Sequence, residues 1–274
     1  MRNPSPLLPA SARRVWGLMY RHLALYRRSW PRLLELAYWP VLNMCIWGFT
    51  ARFLATRMGT APGILAAAAL LGGVLLWEVT LRSQMGMSIS FMEEMWSRNL
   101  GHLFVSPLRP IELLIALIAM SVIRMLIGVM PAVALAWLFY AYDLFALGPV
   151  LVLFFINLMV MGWAVALGVI ALILRHGSGA EALAWGVLFG LAPFSAVFYP
   201  VSVLPAAARP VAWLLPTSHV FEGMRGVLLD GVVRWDELAA ATGLNVVWLA
   251  GASALFAWQF QQARVRGALL SIGE

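Results

Sequence analysis

Six long, predominantly apolar runs recur along this chain, each of the length a helix needs to cross a bilayer. A helix of about 20 residues spans the hydrocarbon core with its backbone amides paired inside the segment, as a solvent without hydrogen-bond partners demands. The runs are Leu33–Phe53, Met58–Trp77, Ile111–Tyr140, Leu144–Leu174, Ala182 to about Tyr199, and Leu238–Gln259. Pro131 and Pro193 predict local kinks. The charge content agrees: 11% of residues are charged and 62% hydrophobic, where soluble domains carry roughly 25% charged residues. The expected fold class is therefore all-α, a polytopic membrane protein of six transmembrane helices forming one domain over residues 1–274.

The basic residues set the orientation. All 19 are arginines. With six spans, 13 of them fall in the tails and loops on the side of both termini and 5 on the other, while Arg124 lies within a span. The positive-inside rule then places both termini in the cytoplasm and the segment 200–236 outside. Within that segment the apolar stretch Pro210–Phe221 is too short to span and reads as a re-entrant or interfacial piece. The tryptophans and tyrosines, including Trp30, Trp39, Trp77, Trp213, Trp235 and Trp258, are expected to form interfacial belts.

Several chemistries are excluded. Without lysine there is no P-loop to cradle a nucleotide's phosphates and no Schiff-base nucleophile. The net charge of +7 sits at the edges of apolar runs and not on one soluble face, which argues against nucleic acid. Cys45 is the single cysteine, and the four histidines show no metal-ligand spacing, so neither catalytic nor metal-binding residues are expected. The stretch Met1–Ala10 is polar and proline-bearing, unlike a cleaved signal.

Four segments carry the functional reading. Residues 11–29 alternate Val15, Leu18, Met19, Leu23, Leu25 and Tyr26 with arginines at 14, 21 and 28, the pattern of a basic amphipathic helix lying at the interface or touching a cytosolic partner. Residues 88–107 read as a cytoplasmic amphipathic helix. Ser90 and Glu93 match a capping box, Glu94 and Arg98 an i,i+4 pair, and Pro107 a stop. Arg124 is expected either to snorkel to headgroups or to line a pathway, with no partner visible, while Glu78 and Arg82 read as a pair at a span end. In the external segment, Ser218, His219 and Glu222 resemble hydrolytic residues only superficially, because i,i+1 neighbours diverge on a helix and Glu222 is placed to pair with Arg225.

The stretches Phe91–Leu100 and Val105–Pro110, then Tyr199–Pro205, Leu215–His219 and Arg225, resemble in order and topological side the integral membrane permeases of type-2 ABC transporters, exporters of polysaccharides, nodulation factors and drugs. The resemblance implies a coupling helix at 88–107 that docks on an ATPase through Glu93, Glu94, Arg98, Asn99 and His102. It also implies a connecting helix at 11–29 and re-entrant helices near an external exit, with Tyr199, His219, Glu222 and Arg225 as gate candidates beside Arg124 as a pathway candidate. It further implies a homodimer with two cytosolic ATPase subunits that bind ATP and magnesium, no cofactor in this chain, contact with membrane lipid, and a bacterial inner-membrane location. The competing readings are a lipid-modifying membrane enzyme with its chemistry in 200–236, and an ion-coupled secondary transporter. The scarcity of midplane carboxylates disfavours the latter.

Overall fold

The computed structural model describes residues 9–59, 61–97 and 109–265, and among these every regular element is helical. Helix α1 (Ala10–Arg28) is separated from α2 (Trp30–Met58) only by Ser29, whose extended backbone and the following Pro31 restart the helix in a new direction. Helix α2 ends at Gly59, which takes the left-handed conformation and donates its N–H to Ala55 O. Then come α3 (Ala61–Trp96), α4 (Pro110–Tyr140) and α5 (Val150–His176). Helix α4 starts on Pro110 with Glu112 accepting from the Arg109 N–H, and closes on the left-handed Ala141.

A shorter second part follows. Helix α6 (Ala182–Leu191) runs into a 3₁₀ turn at Ala192–Phe194, and α7 (Arg209–Trp213) leads to α8 (Pro216–Arg225), which widens into a π-turn over Gly226–Asp230. The last helix is α9 (Trp235–Val265).

Four helices are long and apolar enough to cross a membrane: Gly63–Trp96, Pro110–Tyr140, Val150–His176 and Trp235–Val265. Helix α2 is long but less apolar than these four, and the apolar helical piece at Ala182–Phe194 is too short to span. The expectation of a full fifth span to Tyr199 is thus corrected: after Pro193 the chain turns at Ala196, which sits at a φ of 54°. The second span is also revised, because α3 does not stop at Trp77 but runs straight through to Trp96. Glu78, expected at a span end, lies mid-helix and buried, where Asn43 donates to it at 2.7 Å and Arg82 at 3.1 Å. Trp77 is likewise buried, with its ring 6.3 Å from Phe221, and does not belong to a belt.

Helix α3 is the axis of the bundle, packed by α2, α4 and α5. Close approach depends on small residues, since helices in lipid associate by packing and not by excluding water. A Cβ on Gly86 would meet the Ser121 backbone at 2.9 Å, and one on Gly162 the Thr80 carbonyl at 2.8 Å. Large apolar side chains point outward instead, among them Tyr38, Phe49 and Phe53 of α2, Leu138 and Phe139 of α4, and Val246 and Val247 of α9.

One buried polar node ties α5 to α9. Asn245 donates to the Asn157 side-chain oxygen at 2.9 Å and to its backbone carbonyl at 3.0 Å, and Thr242 adds a 3.2 Å bond to the same side-chain oxygen.

Candidate functional site

Seven-residue spacing puts Arg14 and Arg21 on one face of α1, and the structure turns that face toward protein. Arg14 forms a bidentate pair with Glu112 of α4, at 2.8 and 2.6 Å. That carboxylate raises the Arg14 pKa above its ordinary value by accepting its hydrogen bonds. Two turns on, Arg21 donates to Glu94 at 2.7 Å, and the His22 ring is seated between Glu93 and Glu94, with Nδ1 and Nε2 each 3.3 Å from a carboxylate oxygen. Arg124 of α4 completes the cluster. It donates to Glu93 at 2.7 Å and to Gly86 O at 3.4 Å, and its guanidinium lies 5.1 Å over the Tyr26 ring. Twelve residues separate Arg14 from Tyr26 and likewise Glu112 from Arg124, so α1 runs alongside the first half of α4.

His22, Glu94 and Arg124 are almost wholly buried, at 1, 1 and 2% exposure. Three arginines face three glutamates here, so the buried charges compensate one another, and charge-assisted geometry offsets their desolvation. The cluster joins α1 and the first half of α4 to the end of α3.

This arrangement revises several expectations. Arg14 and Arg21 pair with carboxylates of α4 and α3 while their side chains stay partly exposed. Ser90 caps nothing: it is interior to α3 and donates its hydroxyl to Gly86 O at 2.8 Å, because the helix does not begin there. Glu93 and Glu94 turn inward to α1 and α4. Trp96, at the end of α3, donates to Glu181 at the start of α6 over 3.0 Å. Arg98, Asn99 and His102, and with them the Glu94–Arg98 pair and the rest of the 88–107 helix, lie outside the described residues. Arg124 neither snorkels nor stands without a partner.

The second polar region is the segment between α6 and α9. The His219 ring is held at both nitrogens, with Nδ1 2.6 Å from a Glu237 carboxylate oxygen and Nε2 3.0 Å from the Trp213 carbonyl. Glu222 accepts the Val201 N–H at 2.7 Å and pairs with Arg225 at 3.2 Å, the partner its spacing implied. Arg225 also donates to Ala196 O at 2.8 Å, and Ser218 to Phe194 O at 2.9 Å. Tyr199 donates to Pro193 O at 2.8 Å. These side chains therefore brace non-helical backbone carbonyls and amides where α8 folds back beside the end of α6. Ser218 is turned away from His219, and no nucleophile–base pair forms.

Sequence reasoning missed His22, Glu112, Tyr26 and Glu237. The capping geometry of Glu112 beside Pro110 was readable, and so was the acidic first turn of α9; their arginine and histidine partners were not, since they lie 98 and 18 positions away.

A family model described as ABC-2 type transporter matches residues 13–229, from the first turn of α1 through the π-turn after α8. A comparison with curated proteins finds no match. The match covers most of the chain, including the charge network and the braced segment up to residue 229, and the chain belongs to the membrane component of the ABC-2 type transporter family.

Proposed function

We propose that this chain is the permease subunit of an ATP-driven exporter that moves an amphipathic lipid-like, glycan or drug-like substrate out of the cytoplasm. Two copies pair in the bacterial inner membrane, with both termini and the charge network on the cytoplasmic side, and two separate ATPase subunits bind ATP and magnesium. Helices α2–α6 and α9 make up the six membrane passages, α6 as a half-length one completed by the braced segment outside. The observation that carries the reading is the network of Arg14, Arg21, His22, Glu93, Glu94, Glu112 and Arg124. It clamps α1 to the last turn of α3 and to the first half of α4, so a push on the end of α3 reaches all three helices together.

In this reading Arg98, Asn99 and His102 touch the ATPase, while Glu93 and Glu94 hold the base of the docking segment. Tyr199, His219, Glu222 and Arg225 shape the external gate without moving protons. A lipid-modifying enzyme is less well supported, because both His219 nitrogens are already engaged.

The test is co-expression with a candidate partner ATPase and reconstitution in vesicles. Replacing Arg98 and His102 together by alanine should abolish stimulation of the ATPase by the permease while leaving membrane insertion intact. Normal transport and normal assembly in that variant would overturn the docking assignment.

A further inference from the structure

At the end of the bundle remote from the charge network, a cavity of about 470 Å³ opens between α2, α3 and α4. Ala51 and Ala55 of α2 and Ala67 and Ala68 of α3 line it with short side chains, and the large side chains of the end of α4, Leu138 and Phe139 among them, form the rest of its wall. Tyr140 closes one end by packing its ring onto Gly48, a position where any Cβ would collide with that ring. The slot is open along its length and has the size of sites that take one small apolar ligand or chain.

Arg52 stands in the lining of this slot, more than a helical turn before the end of α2. Its side chain is exposed, and among the described residues it makes no hydrogen bond or ion pair. The other cation nearby, Arg57, is engaged 5.4 Å over the Phe53 ring, and the loop carboxylate Asp143 accepts the Phe145 N–H at 2.9 Å. An exposed guanidinium with no internal anion is free to take an anion from outside the protein. Water would satisfy the cation but leave the apolar slot unfilled, and a free hydrocarbon would do the reverse.

We propose that the slot binds one phospholipid-type molecule, its acyl chain between Ala51, Ala55, Ala67 and Ala68 and its phosphate on the Arg52 guanidinium. Two N–H groups of the fork match two phosphate oxygens. The lipid sits in the leaflet opposite α1. The site is independent of whether the chain exports anything, since it concerns binding alone.

The purified chain, reconstituted in vesicles containing phosphatidylglycerol with a photoactivatable group on one acyl chain, provides the experiment. Illumination and peptide mapping should label residues 51–55 and 64–71 above the open lipid-facing surface of α9 at Val246 and Val247. Arg52→Gln should lower labelling of the slot about tenfold, the loss of a charge-assisted hydrogen bond, and Arg52→Lys should retain part of it. Ala68→Trp, which fills the slot and leaves Arg52 in place, should lower it as strongly. Gel filtration and melting identify any variant that has not folded, and a folded Arg52→Gln then decides the head-group assignment and a folded Ala68→Trp the chain assignment. Labelling equal to that of α9 and unchanged by both variants would overturn the proposal. So would displacement of the probe by inorganic phosphate alone, which would mean an anion site without a chain. Efficient disulfide formation between two Ile64→Cys copies, in a background lacking Cys45 and without slot labelling, would assign the face to a second copy and also overturn it.

Discussion

Arg124 and Glu93 stand 31 positions apart in the chain and 2.7 Å apart in space, so their ion pair ties the last turn of α3 to the middle of α4. Tyr26 covers the guanidinium from the α1 side. The pair is thus shared by three helices, and the junction is held by burial as well as by charge.

Removing one member of such a pair strands the other. Arg124→Leu should destabilise the protein by about 3 kcal/mol, the lower end for a broken buried pair, because Glu93 keeps some contact with His22 and with solvent. Adding Glu93→Leu should recover part of the loss, since no uncompensated carboxylate remains. Melting of the detergent-solubilised single and double variants measures the coupling; additive losses would mean the two side chains do not interact.

Two glycines of α5 separate packing from helix propensity. Gly162→Ala pushes a methyl group against the Thr80 carbonyl and the Ser83 side chain, and should cost about 1 to 3 kcal/mol. Gly168→Ala meets nothing within 4 Å, and should be neutral or stabilising by up to about 1 kcal/mol, alanine's advantage inside a helix. Opposite shifts in melting temperature are the expected result.

His219→Asn tests the braced segment. Asparagine can renew one of the two bonds but not both, leaving Glu237 or the Trp213 carbonyl without its donor. The expected loss is about 1 to 3 kcal/mol of stability, with transport per assembled complex largely retained in vesicles. A hundredfold fall in transport by a folded variant would instead assign the ring a role in proton transfer, for which removing a positioned base typically costs about 10²- to 10⁴-fold.

Topology is checked by reporters. Fusions after Glu274 and in the turn near Gly179 should report the cytoplasm, and one at Asp143 the opposite side. Agreement between Glu274 and Asp143 would refute the six-passage arrangement.

The long helices were legible because lipid imposes a simple rule of length and polarity: the runs at Ile111–Tyr140 and Leu238–Gln259 lie within helices Pro110–Tyr140 and Trp235–Val265. The inward end of α3 was not. Glu78, Arg82, Glu93 and Glu94 look like exposed charges to any local reading, yet each has a partner supplied by another helix or another turn. Charge ends a span only where nothing neutralises it, and sequence distance hides what does. The same holds for His219, where spacing correctly argued against a triad but did not reveal Glu237 as the partner.

The Asn157–Asn245 node has a mechanical corollary. Helix α9 presents most of its surface outward and makes its main contacts with α5, so apolar packing alone would let the two slide or roll. Two donors converging on one asparagine permit a single register, because a shift by one residue would leave buried amides facing hydrocarbon. With His219 fastening α8 to the first turn of α9, the three helices are keyed into one rotor. Whatever turns α5 must therefore turn α9 and the braced segment with it.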